Sequence, residues 1–116
     1  QEAVRKRLKP GVVPGEIYAE VYETVILPQA AEDHFMGFGS NQVPFLGHGI
    51  GLVIDEFPAI AKKIRIPLER NMAIAVEPKK GLPGIGLVGI ENTFVVTDRG
   101  GEKLTVGDDA ITLLSL

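Results

Sequence analysis

Two apolar runs, residues 72–76 and 87–97, flank the segment Pro78-Lys79-Lys80-Gly81-Leu82-Pro83-Gly84. No other feature constrains the chain as tightly. Two prolines and two glycines in seven residues exclude a helix there and mark a turn. The flanking runs read as strands, so an antiparallel hairpin is expected. If that hairpin is symmetric about Gly84, Glu77 and Glu91 lie opposite each other. Facing residues share one side of a sheet, with Cβ atoms about 5 Å apart. The neighbours Ala75, Val76, Ile90 and Phe94 are apolar, so the two carboxylates would repel in partly desolvated surroundings. Either one of them takes up a proton or a cation sits between them. A divalent metal is the economical answer. A bulge or a shifted turn would break the pairing.

The remaining elements follow from apolar spacing and from glycine and proline punctuation. Residues 2–9 read as the end of a helix stopped by Pro10-Gly11. Pro14 suits a first helical turn, and Ile17, Val21 and Val25 mark one apolar face of a helix running to about Leu27, where Pro28 ends it. Residues 33–51 are rich in Gly, Asn, Ser and Pro and read as loop or tightly packed strand. Residues 52–54 are a short strand candidate. Residues 58–67 form an irregular connection whose basic cluster, Lys62, Lys63 and Arg65, reads as solvated surface. Asp98-Arg99-Gly100-Gly101 is a second turn, Leu104-Thr105 begins a return strand, and the apolar tail 110–116 is a final strand. Helices first and strands after them make an α+β domain.

Within this frame Gly47-His48-Gly49-Ile50-Gly51 stands out. Glycines on either side of one histidine allow close backbone approach and let an imidazole project into a site without crowding, although taken alone the motif reads equally well as a histidine in an ordinary Gly-rich loop. One His and two Glu form an oxygen-rich set suited to Mn, Co, Fe or Zn. Asp55-Glu56 follows seven residues after His48 and is placed to shape substrate binding, although a charged loop reads the same way. His34 reads as an ordinary surface or packing residue. Lys79-Lys80 reads more readily as solvated turn lysines than as a trap for a substrate carboxylate.

A chain of 116 residues is one domain or part of one. A net charge of −3 lacks the basic footprint of a nucleic-acid binder. The absence of cysteine rules out disulfides and thiolate metal sites. No apolar run is long enough to span a bilayer, and a cytoplasmic protein is the default. The chain begins with Gln1 inside a helix-like segment, so a piece of a longer chain is expected.

Four ordered motifs resemble the carboxy-terminal half of the pita-bread metallopeptidases. They are Phe45-Leu46-Gly47-His48-Gly49-Ile50-Gly51-Leu52, Asp55-Glu56-Phe57-Pro58, Met72-Ala73-Ile74-Ala75-Val76-Glu77-Pro78, and Gly89-Ile90-Glu91-Asn92-Thr93-Phe94-Val95-Val96-Thr97. That family includes methionine aminopeptidase, aminopeptidase P, X-Pro dipeptidase and creatinase. Leu8-Lys9-Pro10-Gly11-Val12 is similar to its helix–turn before the second half, so the resemblance covers nearly all of residues 1–116.

The resemblance implies two related halves, each with helices packed on an antiparallel sheet. It implies two divalent ions between them, commonly manganese or cobalt, held by two Asp, one His and two Glu. His48, Glu77 and Glu91 match three of those ligands. His48 and Glu77 would then be catalytic, with Glu77 also handling the proton of the attacking water, and Asp55 would contact substrate. The implied activity is removal of an N-terminal residue from a peptide with proline near its N-terminus, with the X-Pro dipeptidase and aminopeptidase P branch favoured. The sequence also departs from the family pattern. No Asp stands in the pattern of the two aspartate ligands. Asp55 replaces a frequent histidine, Lys79 follows Pro78 where glycine is common, and Gly89 replaces a larger polar residue. A chain with three of five ligands is expected to turn over little substrate alone. It is also expected to expose apolar surface and to form a homodimer or swapped assembly. A non-catalytic binding relative and a creatinase-type small-molecule hydrolase stay open as alternatives.

Overall fold

The computed structural model describes residues 1–29 and 33–115. Helices precede strands along the chain, and the strands form two antiparallel sheets, so the domain is α+β as expected. Helix α1 spans Glu2–Arg5 and α2 spans Pro14–Val21. Pro14 opens α2, where a missing N–H costs nothing. Past α2 the winding widens to a π-helical turn, Tyr22–Ile26, with the Thr24 hydroxyl donating to the Glu20 carbonyl at 2.7 Å. Pro28 does not end the helix at Leu27. It sits inside one further 3₁₀ turn, Leu27–Gln29.

The larger sheet has the order β1-β2-β5-β6, from Gly47–Gly49, Ala73–Val76, Asn92–Thr97 and Gly100–Lys103. The smaller pairs β3 (Lys79–Leu82) with β4 (Gly86–Gly89). The β2–β5 pairs run from Ala73↔Val95 to Val76↔Asn92, and the β3–β4 pairs from Lys79↔Gly89 to Leu82↔Gly86. Every pair in both ladders is symmetric about position 84, the centre expected from the sequence. Gly84 takes a positive φ of 78° there, which glycine adopts without steric cost.

The expected long strand 87–97 is instead two strands in two sheets, and the expected linker contains β3. Pro78 explains the break: it has no N–H to give a ladder. The carbonyl of Ile90, opposite it in the shared register, accepts from Gln1 Nε2 at 2.7 Å instead. The same Gln1 nitrogen donates to the Val76 carbonyl, also at 2.7 Å. One side-chain amide thus ties the two strands together where the ladder lapses.

Strand alternation sends Ile74, Val76, Phe94 and Val96 to one face, where they pack with Val4, Leu8, Ile17, Val21, Ile26, Leu46, Ile60 and Leu68. Burying each of these large side chains stabilises the fold by about 1.5–3 kcal/mol. The opposite face carries Ala75, Glu77 and Thr93.

Three expected strands are absent or shifted. Residues 52–54 form no strand. Gly49 bridges Glu56, and Val53 N–H donates to Glu56 Oε1 at 2.9 Å, which closes the segment into a loop that exposes Leu52, Val53 and Ile54. The strand after the second turn begins at Gly100, so Leu104-Thr105 follows it and bonds to Thr93. Residues 110–115 form no strand and expose Ile111, Leu113 and Leu114; Leu116 lies outside the described residues.

Candidate metal centre

His48 sits in β1, opposite Ala75. The glycines beside it are required by how closely the strands approach. A Cβ on Gly47 would lie 2.2 Å from the Ala75 carbonyl oxygen, and one on Gly49 would lie 2.7 Å from that of Phe57. The outer edge of β1 is covered by residues 56–61, through Gly49 N–H to the Pro58 carbonyl at 3.0 Å and Ile60 N–H to the Gly47 carbonyl at 2.8 Å. His48 is therefore held from both sides and is 7% exposed.

Because side chains alternate along a strand, Ala75 and Glu77 share a face, and His48 is a diagonal neighbour of Glu77. His48 Nε2 lies 3.5 Å from Glu77 Oε1 and 3.1 Å from Asp55 Oδ1. Its Nδ1 lies 2.9 Å from the Gly49 carbonyl, which accepts the Nδ1 proton. Nε2 then faces two carboxylate oxygens. Asp55 is largely exposed while Glu77 is mostly buried, so the two carboxylates meet the imidazole from solvent and from the sheet respectively.

Glu77 Oε2 is 2.7 Å from the ammonium of Lys79, so that lysine is no solvated turn residue. Lys80 Nζ donates to the Asp33 carbonyl. Glu91 is exposed and shares with Glu77 and Lys79 an open hollow of about 250 Å³ floored by Leu87, Gly89 and Ile90. Among the described residues no three His, Asp or Glu side chains converge closely enough to hold an ion as a group. The structure thus brings Glu77 and Asp55 each against His48 and leaves Glu91 on the lining of the hollow. His34 packs, as expected, with its ring 4.8 Å from that of Phe38 and its carbonyl accepting from Gly81 N–H.

Sequence reasoning missed the polar support behind the glutamates. Buried Asn92 donates to Gln1 Oε1 at 2.8 Å and to Asp109 Oδ1 at 3.1 Å. The Lys103 ammonium, then the Asn92 amide, hold the Asp109 carboxyl below its ordinary pKa of 3.8. Gln1 and Asn92 are 91 positions apart, so no local pattern joins them.

Residues 1–98 match the model of metallopeptidase family M24. An Xaa-Pro dipeptidase of Pyrococcus furiosus is 39% identical over 69 residues, which is 60% of this chain and 20% of that protein. One from Lactobacillus helveticus is 30% identical over the whole chain and 29% of its own length. Among solved structures, an X-Pro aminopeptidase from Thermotoga maritima superposes with a TM-score of 0.82 at 31% identity, over 97% of this chain and 30% of that one. Prolidase from Pyrococcus furiosus gives 0.74 at 32% identity, over 92% and 30%. The chain spans 20–29% of the length of the first four curated relatives it matches.

Proposed function

Since the chain belongs to metallopeptidase family M24, we propose that it is the carboxy-terminal half of a pita-bread exopeptidase domain that cleaves the N-terminal bond of peptides with proline near that end. His48, Glu77 and Glu91 are the proposed metal ligands. The observation that carries this reading is the His48–Glu77 contact: an imidazole fixed through Nδ1 turns Nε2 towards a mostly buried carboxylate at 3.5 Å. Imidazole and carboxylates suit a first-row divalent ion, manganese or cobalt first and zinc or iron as alternatives. Glu91 lines the same hollow as Glu77 and would supply the third donor.

Two divalent ions, when bound, supply Lewis acidity that polarises a peptide carbonyl and lowers the pKa of water. The chain's own residues do the rest. Glu77 accepts the proton of the attacking water and returns it to the leaving nitrogen. His48 is kept in one tautomer by the Gly49 carbonyl. Asp55, on the solvent side of the imidazole, meets the substrate's α-ammonium.

The relatives named Xaa-Pro dipeptidase favour this substrate class. The 116-residue chain alone is proposed to turn over little substrate, because it offers three of the five ligands that the family resemblance implies. Exposed Leu52, Val53, Ile54 and Phe57 support self-association into a homodimer or swapped assembly, and a single-chain mass in light scattering would count against it. A cytoplasmic setting belongs to the same proposal. Among the described residues no helix is long and apolar enough to cross a membrane.

The test is calorimetric titration of manganese into the parent, Glu77→Ala and Glu91→Ala, alongside hydrolysis of X-Pro dipeptides. Saturable binding lost in both variants is expected. Binding that survives both substitutions, or brisk manganese-dependent turnover by the isolated chain, would overturn the assignment.

A further inference from the structure

Lys79 occupies a position that the chemistry above does not use. Its ammonium lies 2.7 Å from Glu77 Oε2, while the other oxygen of the same carboxylate faces His48. The side chains of Lys79 and Glu77 are only 30% and 16% exposed, so the pair is partly shielded from solvent.

The lysine is also built in. Its carbonyl accepts from Met36 N–H at 2.8 Å, and its own N–H donates to Met36 Sδ at 3.4 Å. Across the hairpin its partner is Gly89, where an added Cβ would come within 2.6 Å of the Lys79 Cβ. Gly89 therefore leaves room for the lysine stem beside the hollow that Glu77 and Glu91 line. A divalent ion drawing on Glu77 meets an ammonium already in contact with that carboxylate, and the two cations repel.

We propose that Lys79 is a resident counter-ion of Glu77: it orients the carboxylate when no ion is bound and weakens the site's hold on a divalent ion. The proposal rests on the reading of Glu77 as a metal ligand. Lys79 is a positioning residue: it acts through the Glu77 carboxylate that it contacts.

The experiment titrates Mn²⁺ into the full chain, comparing the parent with Lys79→Met, Lys79→Arg and Glu77→Gln by calorimetry. Lys79→Met keeps most of the stem and removes the charge, so it should bind Mn²⁺ about tenfold more tightly or better. Lys79→Arg keeps the charge and should stay close to the parent. A second readout needs no variant: the rate of Lys79 acetylation by a small reagent, followed by mass spectrometry, should rise several-fold when Mn²⁺ is added, because the ion displaces the ammonium from Glu77. Equal or weaker binding by Lys79→Met, including no binding by either protein, overturns the proposal, as does an unchanged acetylation rate. Undiminished binding by Glu77→Gln would instead sink the ligand assignment itself. Loss in Glu77→Gln without gain in Lys79→Met removes only the lysine's role.

Discussion

Replacing Gly47 with alanine tests whether the approach of β1 to β2 is what presents His48. The new Cβ would stand 2.2 Å from the Ala75 carbonyl oxygen and 3.1 Å from the Val76 Cα, both backbone atoms that cannot swing aside. Restoring ordinary contact moves β1 away by about 1 Å. The Glu77 N–H bond to the Leu46 carbonyl, now 3.0 Å, stretches towards 4 Å and is lost. A buried backbone group left unpaired costs about 1–3 kcal/mol, and the overpacking adds about 1–3 kcal/mol more. Backbone relaxation shares these terms, so a net loss of about 2–4 kcal/mol is expected, or roughly 10 °C in Tm. Urea and thermal unfolding of the parent and Gly47→Ala measure it. Gly51→Ala is the matched control. Its Cβ would meet Glu56 Oε2 at 2.7 Å, the movable end of an exposed-loop side chain, so it should cost less than about 1 kcal/mol. Manganese titration of the same proteins should show Gly47→Ala weakened and Gly51→Ala close to the parent. A Gly47→Ala protein as stable as Gly51→Ala would refute the reasoning, because the strands would then have room that the geometry denies them.

Two further perturbations probe the scaffold around the site. Asn92→Ala leaves Gln1 Oε1 and Asp109 without their shared donor, and should cost about 1–3 kcal/mol in urea unfolding; a loss indistinguishable from zero would mean that the polar knot bears no load. Glu2 has its pKa lowered from 4.5 to about 2, first by its hydrogen bond with Arg5. A depressed carboxyl pKa contributes stability that is present above the unfolded value and fades as pH falls from about 4.5 towards 2. The pair is mostly exposed, so the contribution stays below about 1 kcal/mol. Glu2→Gln should lower the urea midpoint slightly at pH 7 and match the parent at pH 2, and a gap that widens on acidification would reverse the sign of this argument.

What local pattern determined by itself was the hairpin register. Prolines and glycines bound the turn, the strand period is two, and the centre at Gly84 then sets Glu77 opposite Glu91 before any tertiary contact is known. The helix start at Pro14 and the glycines beside His48 were legible for the same reason: each answers a backbone demand that acts over a few residues. Composition misled where hydrophobicity stood in for pairing. Leu52-Val53-Ile54 and residues 110–115 are largely apolar, yet among the described residues neither has a neighbouring strand to complete a ladder, and they stay exposed and irregular. The run 87–97 looked continuous because the cause of its break, Pro78, lies on the other strand.

Only the tertiary structure decided which charges meet. Asp55 reaches His48 because the loop after β1 folds back on Gly49. Gln1 fills the lapse in the ladder from 75 and 89 positions away. These contacts depend on how separate segments are brought together in space, and ionic and hydrogen-bonding partners selected in that way leave no periodic trace along the chain.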